Sequence, residues 1–115
     1  MEKLQQKFAL DVSRLILFAF EKGLAVTFGE AYRTAEQAAL DATKGTGIRS
    51  SLHCSRLAID LNLFEADKLQ TETEDYSVLG HYWENMGTDH CWGGRFTSRP
   101  DGNHFSISPD GGRTR

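Results

Sequence analysis

Ser51-Leu-His53-Cys-Ser-Arg-Leu-Ala-Ile-Asp60 and Asp101-Gly-Asn-His104 are the two stretches whose residue types and spacing suit chemistry. His53 and His104 offer neutral imidazole nitrogens, and Asp60 offers a carboxylate oxygen. Three such ligands leave the fourth tetrahedral position of a zinc ion open for water, the arrangement of a catalytic rather than a structural site. Asp101, three residues before His104, is left over as a base for that water. The pattern predicts a metal-dependent hydrolase carrying one Zn2+ per chain.

The other metal-seeking side chains fit less well. His81 falls in a predicted helix and His90 in a loop beside Asp89; both can face solvent, and neither is assigned to metal. Cys54 and Cys91 each follow a histidine. Adjacent residues on a strand point to opposite faces, however, and no Cys-x-x-Cys or His-x-x-x-His spacing is present. They read as small, reduced, semi-buried thiols. The acidic run Glu65, Asp67, Glu72, Glu74 and Asp75 lacks EF-hand spacing and reads as a solvated loop.

The elements that must position the site follow from periodicity. Leu4, Phe8, Val12, Leu15, Ile16, Ala19 and Phe20 fall on one side of a helix over residues 3 to 22, which Gly23 stops. Leu24 to Phe28 reads as a strand. Thr34 and Gln37 form a capping-box pattern for a second helix from Ala35 to about Ala42, before a loop at Lys44-Gly-Thr-Gly47. Leu57 to Phe64 is the clearest strand: Leu57, Ile59, Leu61 and Leu63 share one face, leaving Ala58, Asp60 and Asn62 on the other. Glu65 to Asp75 is a hairpin or loop. Asp75 then caps a third helix with Tyr76, Leu79, Tyr82, Trp83 and Met86 on its apolar side, ended by Gly87. Trp92 to Phe96 and Asn103 to Ser108 are the last two strands, joined by a turn at Arg99-Pro-Asp-Gly102.

Asp101 and His104 would point to opposite faces of an unbroken strand. They converge only if Asp101 sits in the Asp-Gly turn and His104 opens the strand, where it shares a face with Ser106. The fold class predicted is α+β, with helices packed against a small, mostly antiparallel sheet.

With 115 residues, the chain has room for one domain, 1–115, and none for a separate binding module. It is 39% hydrophobic and 25% charged, with a net charge of -3, which gives no global attraction to nucleic acid. The longest apolar stretch, Leu15 to Phe20, is too short for membrane insertion and lacks the features of a signal peptide. The chain is therefore expected to stay in the cytoplasm unless another factor releases it.

Ser51-x-His53-x-x-x-x-Ala58-x-Asp60 followed by Asp101-x-x-His104 resembles the signature of zinc peptidases related to D-Ala-D-Ala carboxypeptidases, with the Hedgehog/DD-peptidase fold. Gly29-Glu-Ala-Tyr-Arg33-Thr, Leu57-Ala-Ile-Asp60-Leu-Asn-Leu-Phe64, Trp92-Gly-Gly-Arg-Phe96 and Asp101-Gly-Asn-His104-Phe105 are similar to phage endolysins of the L-alanyl-D-glutamate peptidase type. The resemblance implies zinc ligands at His53, Asp60 and His104, and a catalytic carboxylate at Asp101, where many relatives have Glu. It also implies an arginine at Arg33 that binds the substrate carbonyl or developing oxyanion, and a substrate-side residue at Ser51. One departure stands out: many relatives have Gly where this chain has Arg56, a bulky cation able to narrow the cleft or meet an acidic substrate.

The resemblance further implies a substrate, the peptidoglycan stem peptide cut between L-Ala and D-Glu. A monomeric endolysin would wait in the host bacterial cytoplasm for a membrane-permeabilising holin before lysing the cell. D,D- or L,D-carboxypeptidase trimming is the alternative within that class. A non-catalytic zinc-binding module of the same fold is the alternative outside it, and the intact Asp101 argues against it.

Overall fold

The computed structural model describes residues 1–32, 34, 36 and 55–111. Helix α1 (Glu2–Glu21) leads into β1 (Ala25–Phe28), and the chain then enters β2 (Ala58–Glu65) and β3 (Lys68–Leu69). A 3-10 turn at Thr73–Tyr76 runs into helix α2 (Ser77–Glu84), followed by β4 (His90–Trp92), a second 3-10 turn at Gly93–Arg95, and β5 (His104–Ile107). The strands form one antiparallel sheet in the order β1-β2-β5-β4, with β3 paired to the end of β2. The predicted second helix and the Lys44–Gly47 loop fall almost wholly outside the described residues, as does Cys54. Among the described residues no helix is long and apolar enough to cross a membrane.

Alternation along β2 makes two different faces. Leu57, Ile59, Leu61 and Leu63 are buried against the helices, while Asp60, Asn62 and Phe64 stay half-buried on the opposite face. Phe105 and Ile107 of β5 extend the apolar face, where Trp83 of α2 packs edge-on against Phe105 and Phe8 of α1. The Ala66-Asp67 turn between β2 and β3 has both residues at positive φ, 51° and 65°, matching the right-handed twist of a two-residue hairpin.

Helix α1 ends as predicted, with Gly23 at φ 77° allowing the chain to turn back. Its face differs in two places: Phe20 is 59% exposed, and Asp11 is buried. Asp11 is stabilised there by hydrogen bonds from Lys7 Nζ (2.8 Å) and Arg14 (3.1 Å), and by His90 Nε2 at 2.8 Å. The expectation that His90 can face solvent is thus corrected. It is fully buried at the start of β4, with Asp89 Oδ1 2.8 Å from Nδ1 and Asp11 on the other nitrogen. The predicted cap also moves: Asp75 accepts from the backbone N–H of Glu72 and closes the 3-10 turn, so α2 starts at Ser77.

Of the strand expected over Trp92 to Phe96 only Trp92 is in one: β4 spans His90–Trp92. At Gly93 the backbone runs against the Asp101 carbonyl, where a Cβ would stand 2.0 Å from that oxygen. The chain curls into a 3-10 turn there instead of continuing β4.

Candidate metal centre

Asp60 stands in the middle of the sheet. Its backbone N–H donates to Glu30 O (2.8 Å), and its carbonyl accepts from Gly29 N–H (2.7 Å), so the segment after β1 fixes one side of it. On the other side β2 pairs with β5 in a register that sets Asp60 opposite His104, Ile59 opposite Phe105 and Ala58 opposite Ser106. Antiparallel partners project to the same face. Asp60 and His104 therefore meet on the face turned away from the aliphatic core, with Oδ1 and Nδ1 3.7 Å apart.

His104 opens β5 and Asp101 lies in the turn before it, as their spacing requires. Three hydrogen bonds to backbone carbonyls hold the turn. The Asp101 N–H donates to Gly93 O (2.9 Å), the His104 N–H donates to Asp101 O (3.1 Å), and the Trp92 indole N–H donates to Gly102 O (2.7 Å). The His104 ring is buried, with Phe96 tilted over it at 5.1 Å and Ser106 Oγ 2.9 Å from Nε2. Asp101 is exposed.

Asp60, Asp101 and His104 each turn one ligand atom inward, and these atoms all lie within 4.8 Å of one another. The donor set fits zinc. Two ligand atoms on a tetrahedral zinc with bonds of ~2.1 Å stand about 3.4 Å apart, close to the 3.7 Å between His104 Nδ1 and Asp60 Oδ1. Carboxylate oxygen and imidazole nitrogen are also the donors that such sites use. His53, the third ligand expected from sequence, lies outside the described residues, as do Arg33 and Ser51.

A cleft of about 310 Å³ opens beside Asp101, between the segment 69–73 and the turn 100–103. Asn62, Gln70, Thr73 and Asn103 give it a neutral, hydrogen-bonding lining, and Glu72 and Asp101 are its charged groups among the described residues. Tyr76, which also lines it, has its phenol pKa raised by burial and by the charges of Asp75 and Asp101. Among the described residues, the charged lining of the cleft is therefore negative.

Arg56 occupies a left-handed backbone position, φ 58°, which glycine adopts at no steric cost. That accounts for the Gly expected at this place in similar sequences. The Arg56 guanidinium lies over the Tyr32 ring at 4.1 Å, so its charge is engaged by a cation–π contact.

The i, i+2 alternation puts Ser106 on one face with His104, as expected; the contact of its hydroxyl with the His104 ring, which no local pattern shows, is seen only in the structure.

The sequence model of a family described as D-alanyl-D-alanine carboxypeptidase matches residues 44–107. No protein of curated function matches in sequence. In structure the chain is similar to the Serratia marcescens L-Ala D-Glu endopeptidase ChiX, with a TM-score of 0.69 at 20% identity, over 93% of this chain and 85% of that one. The shared fold is α+β with a mostly antiparallel sheet.

Proposed function

The chain belongs to the D-alanyl-D-alanine carboxypeptidase family, and from that premise we propose that it is a zinc-dependent peptidase of bacterial peptidoglycan, cutting the stem peptide between L-Ala and D-Glu. The observation that carries this reading is the convergence of Asp60, Asp101 and His104 on one face of the sheet. His53, Asp60 and His104 hold the metal, and Asp101 stays beside it as the acid–base group. When bound, zinc supplies a Lewis acid that lowers the pKa of a water from ~15.7 to about 7.

The chain's own groups do the rest. The exposed Asp101 carboxylate takes a proton from the attacking water and returns it to the departing amine. Arg33 offers its guanidinium to the carbonyl oxygen as charge develops there, and Ser51 contacts the substrate nearby. Because Asp101 serves the leaving amine, the cleft beside it receives the leaving segment.

The solved structure that the chain resembles, ChiX, is titled an L-Ala D-Glu endopeptidase, and that title favours an endopeptidase over a carboxypeptidase. On this reading the enzyme acts as a monomeric phage endolysin that a holin admits to the wall. Mass analysis of digested muropeptides tests the bond assignment: a new D-Glu amino terminus is expected. Free D-Ala with the L-Ala–D-Glu bond intact would establish the carboxypeptidase reading instead.

A further inference from the structure

We infer that Ser106 is a positioning residue for the metal: its hydroxyl fixes which nitrogen of His104 faces the ion. The inference rests on the zinc reading above and adds to it a residue outside the ligand set.

Ser106 follows His104 by two positions on β5, so both side chains leave the strand on the same face. Ser106 is fully buried, and its Oγ stands 2.9 Å from His104 Nε2. Its position is itself fixed, because the fully buried Trp83 indole donates to the Ser106 carbonyl at 3.0 Å. Across the ladder its partner is Ala58, 1% exposed, whose single methyl leaves room for the His104–Ser106 contact.

A neutral imidazole carries one proton, and the hydrogen bond made by one nitrogen decides what the other can do. With Nε2–H donating to Ser106 Oγ, the Nδ1 lone pair is left facing the Asp60 side of the cluster. Outer partners of this kind typically change metal affinity by about 10–100-fold when removed.

The test is zinc affinity, measured on the whole chain by competition with a chromophoric chelator. Ser106→Ala is expected to bind zinc at least about 10-fold more weakly than wild type, with circular dichroism and the melting temperature of the metal-free protein showing that it folds. Ser106→Thr, which keeps the hydroxyl, is expected to restore affinity to within a few-fold. As a readout on the wild type itself, the nitrogen resonances of zinc-loaded protein are expected to show His104 bound through Nδ1, with a protected proton on Nε2. Equal affinity of folded Ser106→Ala and wild type, or metal bound through Nε2, overturns the inference. Wild type that binds no zinc at all overturns the zinc reading on which it stands.

Discussion

Asp60 and His104 are direct cross-strand partners in the β2–β5 ladder, and their Oδ1 and Nδ1 atoms stand 3.7 Å apart. Backbone hydrogen bonds, not loop conformation, therefore set the spacing of these two metal-capable side chains. A slip of one residue in that register would carry one of them to the core face. Such a ladder keeps donors in place without the metal, the rigidity that a catalytic site requires.

Removing one donor should show this division of labour. Asp60→Asn keeps the shape of the side chain and loses its charge. Zinc affinity is expected to fall by more than about 100-fold, beyond the usual loss from an outer partner. Zinc competition checks the affinity, and a circular dichroism spectrum like that of wild type checks the sheet.

Asp101 is expected to separate from the ligands in its effect. Asp101→Asn should lower turnover of peptidoglycan by about 100- to 10,000-fold, the range for loss of a general acid–base group. Zinc content, measured by elemental analysis, should stay at one per chain. A variant that has lost its zinc would make Asp101 a ligand instead.

Gly93 tests how closely the Asp101 turn is held. A Cβ there would lie 2.0 Å from the Asp101 carbonyl oxygen and 2.7 Å from His104 Cβ. Overpacking of this kind costs about 1–3 kcal/mol. Gly93→Ala is expected to lose that much in denaturant unfolding, and also to lose turnover because the turn carrying Asp101 must move. Full activity in a destabilised variant would show that the exact seating of Asp101 is unimportant.

Much of this was legible from alternation and turn chemistry. The aliphatic row of β2 put Asp60 on the other face, and the odd spacing of Asp101 and His104 demanded a turn followed by a strand, as observed. The failures come from partners distant in sequence. His90 reads as a loop residue able to face solvent until Asp11, 79 positions away, is packed against it. The strand expected at Trp92–Phe96 stops short because of the close approach at Gly93, which no local pattern reveals. Arg33, Ser51 and His53 lie outside the described residues, and their roles are read from the resemblance alone.

The Asp11–His90 pair leads to an acid-stability prediction. Burial opposes the Asp11 charge, but hydrogen bonds from Lys7 and His90 outweigh it and hold the carboxyl pKa below its ordinary range. The folded value is thus lower than the unfolded value of about 3.9. Asp11 therefore contributes stability above that pH, and the contribution is lost as pH falls through the lowered folded value. Asp11→Asn, which breaks a buried pair, is expected to cost about 3 kcal/mol at pH 7. Denaturant unfolding between pH 2 and 7 should show a flatter acid limb for the variant; an acid limb as steep as that of wild type would remove Asp11 from acid unfolding.

Zinc-dependent cleavage of peptidoglycan is the central claim, and reconstitution tests it most directly. Purified wall material is incubated with the metal-stripped chain while zinc is added stepwise, and released fragments are counted by mass. Cleavage is expected to be absent without metal and to rise to a plateau at one zinc per chain. Full cleavage by the stripped chain, or none by the zinc-loaded chain, would contradict the claim.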